Sequence, residues 1–76
     1  MDNEELKNRI RRILIQLRTE HELTQTDVGK IIGKTKTAVA SWEQGISMPD
    51  IVTLYALANY YNKPISYLYG EGGDAE

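Results

Sequence analysis

Apolar residues recur at three- and four-residue spacing along most of this 76-residue chain. Leu6, Ile10, Ile13, Leu14 and Leu17 form one such stripe, and Val28, Ile31 and Ile32 a second. Val39 and Trp42 form a third, and Leu54, Leu57, Ala58 and Tyr61 a fourth. This period predicts helices whose apolar faces meet in one core. No stretch alternates convincingly between apolar and polar positions, so the expected class is all-α. Ile15 falls on the opposite face of the first helix, as ragged core or as part of a contact surface.

The helix boundaries follow from local chemistry. Asp2 with Glu5, and Thr24 with Asp27, have the spacing of capping boxes, and Thr35 and Asp50 suit the starts of two further helices. Gly33, Gly45 and Asn62 fall where a left-handed residue ends a helix, and Pro49 forbids early resumption after Gly45. Pro64 suits the first turn of a short fifth helix running through Tyr69. Gly29, inside the second helix, costs on the order of 1 kcal/mol relative to alanine. That cost is tolerable where the next helix crosses too closely for a larger side chain.

Seventy-six residues are one domain at most, and a domain of this size buries about 60% of the surface its unfolded chain exposes. Without cysteine there is neither a disulfide framework nor a thiolate zinc site. No apolar run has the length of a membrane span or a secretory signal, so the expected location is the cytoplasm. The net charge of −2 taken as a whole is unsuited to a polyanionic partner, but its distribution is not. All nine basic residues lie between Leu6 and Gly70 with only five acids, leaving this body at +4, while the two ends carry the other six acids. A modestly basic body can bind DNA through placement of charge rather than a large basic field.

The stretch from Leu23 to Gly45 therefore has two short helices, a tight turn, and a second helix whose outward face is small and polar. Such a helix can lie in the major groove of DNA. Here the chain resembles the phage-repressor and Cro type of helix-turn-helix, the XRE family. The resemblance covers roughly residues 10–70. It rests on Leu17-Arg18, Leu23-Thr24-Gln25, Gly33, Trp42-Glu43-x-Gly45, Pro49, Leu57-Ala58 and Tyr67-Leu68. It implies a compact five-helix, lambda-repressor-like domain over residues 1–70; the acidic tail over 71–76 is expected to be flexible by its composition.

By that resemblance the base-reading residues are Lys36, Thr37 and Ser41. Lysine can donate to guanine O6 and N7, and hydroxyls suit several bases. Ala40 is small enough for close approach and could touch a thymine methyl. Gln25, at the start of the second helix, would grip a phosphate and brace Lys36. Thr24, Lys34, Thr35 and Gln44 are further candidate phosphate contacts. Outside this motif, all of these would simply be solvated surface. The resemblance also implies an ion pair between Arg18 and Glu43 that fixes the recognition helix. It makes Trp42 core rather than site. The chain departs from the family pattern at Glu22, where glycine is common, at Lys34, usually apolar, and at Pro64, usually a capping serine.

His21, near a helix C-terminus between two glutamates, suits a solvated cap. No second histidine, no cysteine and no organised carboxylate pair supports metal or acid–base chemistry, so neither enzyme activity nor a cofactor is expected. All five tyrosines lie in the last third. Tyr61 fits the core stripe and Tyr60 does not, and exposed tyrosines near the last two helices suit a subunit interface. The expectation is a transcriptional regulator, a repressor, binding double-stranded DNA at an inverted-repeat operator as a homodimer. The rival is a protein-interaction module on the same scaffold: an antitoxin, antirepressor or polymerase-contacting accessory. The acidic balance, Ile15 and the tyrosines would carry that role.

Overall fold

Residues 2–70 are described by a computed structural model. They form α1 (Asn3–Glu20), α2 (Gln25–Ile32), α3 (Lys36–Gln44), α4 (Ile51–Tyr61) and α5 (Ile65–Leu68), with no strand among them. The expected tail over 71–76 lies outside the described residues. No helix among those described is long and apolar enough to cross a membrane.

The first four helices start where a side chain replaces the missing intrahelical acceptor. Asp2, Thr24, Thr35 and Asp50 each accept from the backbone N–H three residues on, at 2.8, 3.0, 3.1 and 2.8 Å. At α2 the box closes fully, because Asp27 Oδ2 also accepts from Thr24 N at 2.9 Å. At α1 the Asp2 half of the expected box is formed. These backbone bonds hold the exposed Asp27 and Asp50 carboxyls below their ordinary range. Gly33, Gly45 and Asn62 are left-handed C-caps, each where the sequence calls for one.

The core joins Ile10, Leu14 and Leu17 of α1 with Val28, Val39, Trp42, Leu54, Leu57, Ala58, Tyr61 and Leu68. Of the other expected members, Leu6, Ile13 and Ile32 pack against this core partly buried, and Ile31 is 42% exposed. Gly29 is buried beside Val28, and with about 100° per residue this turns the inward face of α2 toward Gly29 and Ile32. Ile31 is left on the flank.

Gly29 is required by a close approach, though of the turn rather than the body of α3. A Cβ there would lie 2.7 Å from Lys34 O and 3.2 Å from Thr35 C. Lys34 N donates to Gly29 O at 2.7 Å, closing the turn against α2. Glu22, where the family favours glycine, has φ 57. A side chain in that left-handed region costs about 1–2 kcal/mol.

The fifth helix differs from expectation at both ends. Pro64 is not its first helical residue but the cap before it, with extended backbone (φ −65, ψ 150) and no side-chain cap. The helix ends at Leu68, one residue short of Tyr69, and Leu68 is fully buried. A single turn held by one buried leucine has little to carry it further.

Candidate nucleic-acid interface

The recognition helix has two faces of different chemistry. Val39, Trp42 and Glu43 point inward and are buried, whereas Lys36, Thr37 and Gln44 are exposed and Ala40 and Ser41 half-buried. The inward face is anchored by an ion pair as well as by packing. Glu43, with only 6% of its side chain exposed, accepts from Arg18 Nε at 2.7 Å and Nη2 at 3.0 Å. The two parallel bonds fix orientation as well as charge. Arg18 Nη1 also donates to Leu23 O at 2.9 Å, so one guanidinium ties the end of α1, the α1–α2 loop and α3 together. The hydrogen bonding with Glu43 raises the Arg18 pKa further above its usual value.

Gln25 belongs to this network. Its Nε2 donates to Glu43 Oε1 at 3.0 Å, so its amide is held by the buried carboxylate and not against Lys36. The expected brace of Lys36 is therefore not the arrangement in this structure. The Nε2 donor of Gln25 takes the charged Glu43 carboxylate as its acceptor, and no bond joins the remaining amide Oε1 to Lys36. With the partners 18 positions apart, no local spacing signals that bond.

On the outward side, Lys36, Thr37, Ala40, Ser41 and Gln44 line one concavity of about 290 Å³, together with Ile46. Among the described residues no hydrogen bond or ion pair engages the side chains of Lys36, Thr37 or Gln44. Ser41 is different: its hydroxyl bonds that of Ser47 at 2.8 Å, fastening the segment after α3 to the helix. Ile46 and Ser47 are neighbours of the candidate site that helical spacing does not find, because both lie beyond the Gly45 cap. The available signal is an isoleucine between a helix-ending glycine and Pro49, in a segment with no periodic partner.

The Thr24 and Thr35 hydroxyls each accept one capping bond, yet each keeps an O–H that can donate outward. Lys34 is exposed in the turn. Trp42 is buried in the core. His21 is the C-cap of α1, with Nδ1 2.9 Å from Leu17 O and its ring edge-on to Tyr61 at 4.9 Å between centroids.

A two-helix unit with a buried anchor, a glycine-dependent turn and an unengaged polar outer face is what a helix-turn-helix requires. A helix-turn-helix family model matches residues 14–68. The chain belongs to this family. It is also similar to the cryptic phage CTXphi transcriptional repressor RstR of Vibrio cholerae, 34% identical over 55 residues. That match covers 72% of this chain and 50% of the relative, so the chain spans half the length of the curated protein it matches. No solved structure matches the chain significantly.

Proposed function

We propose that this chain is a sequence-specific double-stranded DNA-binding protein acting in the cytoplasm as a transcriptional repressor, with α3 laid in the major groove. The observation that carries this reading is the contrast within α3. Its inner face is locked by Glu43, Arg18 and Gln25, while the side chains of Lys36, Thr37 and Gln44 on its outer face are exposed and unengaged. Lys36, Thr37, Ala40 and Ser41 contact base edges. Thr24, Gln25, Lys34, Thr35 and Gln44 approach phosphates. Fixing a helix from behind lets its front contacts form with little ordering cost. The similarity to a phage transcriptional repressor supports repression, by occupation of a promoter.

The working form is a homodimer. α4 has no charged residue, and its inward stripe leaves Ile51, Val52 and Tyr55 exposed on the other side. An uncharged apolar face can meet its own copy across a two-fold axis without like-charge repulsion. Such a dimer binds half-sites about one helical turn apart. The same face also suits a different protein partner, which is the second reading.

Selection of bound fragments from a randomised duplex pool tests both. Enrichment of an inverted repeat, lost on Lys36→Ala and Ser41→Ala with the fold intact, is the expected result. Failure to enrich any sequence, or indifference to both substitutions, rejects base reading in favour of the protein-interaction module.

A further inference from the structure

The segment just after α3 carries chemistry that the recognition helix does not account for. Ile46 is 68% exposed, among the most exposed of the large apolar side chains, and stands outside the core. It lines the same concavity as Lys36, Thr37, Ala40, Ser41 and Gln44. We propose that Ile46 is a further specificity residue, reading the 5-methyl group of a thymine at the edge of the base sequence contacted by α3. This inference rests on the DNA-binding reading above.

Three observations carry it. The first is position, since Ile46 continues the lining of the candidate base-reading surface and is not on a separate face. The second is rigidity. Ile46 N donates to Ser41 O at 3.0 Å, Gly45 N donates to Trp42 O at 3.2 Å, and the Ser41 and Ser47 hydroxyls are joined at 2.8 Å. The backbone of Ile46 is thus held from both sides, and a β-branched side chain on it has few rotamers to lose on binding. The third is chemical. Isoleucine has no donor for a phosphate, and the thymine methyl is the one apolar group on the major-groove edges of the bases. With Ala40, Ile46 supplies the apolar side chains of a concavity whose other lining residues are lysine, threonine, serine and glutamine. Ser41 then has two duties: its bond to Ser47 fastens Ile46 in place, and its remaining capacity faces the groove.

The test begins with the operator obtained by selection with the full chain. Each thymine is replaced in turn by deoxyuridine, which removes only the methyl group. Affinity is then measured for the unmodified protein, Ile46→Ala and Ile46→Val. At one thymine of each half-site, removing the methyl is expected to weaken the unmodified protein by about fourfold, the worth of one buried methyl. The loss should vanish in Ile46→Ala and largely return in Ile46→Val. Equal losses in all three proteins assign the methyl to Ala40 and overturn the proposal. So does a shift from dimer to monomer in Ile46→Ala with unchanged half-site preference, which would make Ile46 a subunit contact. A selection that enriches no sequence fails at the earlier step and rejects the DNA-binding reading itself. Unfolding midpoints for the three proteins verify that this exposed position leaves the fold alone.

Discussion

α3 and α4 are built alike and turned outward differently. Each begins at a side-chain cap and ends at a left-handed residue, and each buries a stripe in the common core. The inward face of α3 includes a charged residue, Glu43, whereas that of α4 consists of Thr53, Leu54, Leu57, Ala58 and Tyr61. The outward faces reverse the pattern, polar and small on α3, apolar and uncharged on α4. A helix anchored through a buried charge is held by bonds of fixed direction. A helix that keeps hydrocarbon on both sides is held by packing, which is less particular about orientation. The difference suits α3 to reading a groove and α4 to meeting another protein surface.

The largest expected effect tests the ionic anchor. Glu43→Ala leaves the Arg18 guanidinium without its carboxylate and should cost about 3–5 kcal/mol, toward the lower end because Arg18 keeps some solvent access. A double-mutant cycle with Arg18→Ala, read by urea unfolding, should show strong coupling. No coupling would mean that α3 is held by packing alone, like α4, and the contrast would collapse.

The two C-caps give a smaller and sharper comparison. Gly45 has φ 79, and a Cβ there would lie 3.3 Å from Arg11 Cδ, so Gly45→Ala should cost about 1–2 kcal/mol. Asn62 tolerates the same conformation, with φ 59, so Asn62→Gly should change stability by less than about 0.5 kcal/mol. Equal costs would show that the ends of α3 and α4 are constrained alike.

Val52, 75% exposed on α4, probes the outer face. Val52→Asp should leave the unfolding free energy within about 0.5 kcal/mol yet convert a dimer to a monomer in sedimentation. An unchanged mass would move the subunit interface elsewhere.

The last effect is confined to alkaline solution. Burial pushes the Tyr61 hydroxyl up from 10.0 to about 12. The folded state therefore keeps its proton where the unfolded chain has lost it. That contribution is fully present below pH 10 and disappears as pH rises through about 12. Tyr61→Phe should flatten the stability profile across that window. An unaltered slope would show that Tyr61 ionises as freely folded as unfolded.

The capping residues, the left-handed ends and the aromatic core position of Trp42 were legible in the order of residues, because each depends on neighbours within one turn. Ile31 was not, since a short helix's inward direction depends on which residue its partner presses against, here the turn lying on Gly29. The exchange of Gln25 from Lys36 to Glu43 was equally hidden, as was the bond from Ser41 to Ser47. Both need coordinates that local spacing does not carry. Pro64 shows the same limit in miniature: its ring sets φ, and ψ, which decides whether it lies inside or before the helix, is free until α5 packs.

By itself, then, the sequence determined where the first four helices start, where α2, α3 and α4 stop, and which stretches supply the core, since dihedral preference, capping and apolar period act locally. The tertiary structure decided which polar groups meet across the chain and which are left facing outward. Glu43 could become an anchor only once α1 and α2 brought Arg18 and Gln25 to it. With that anchor holding the helix from behind, Lys36, Thr37 and Gln44 are left facing outward and unengaged.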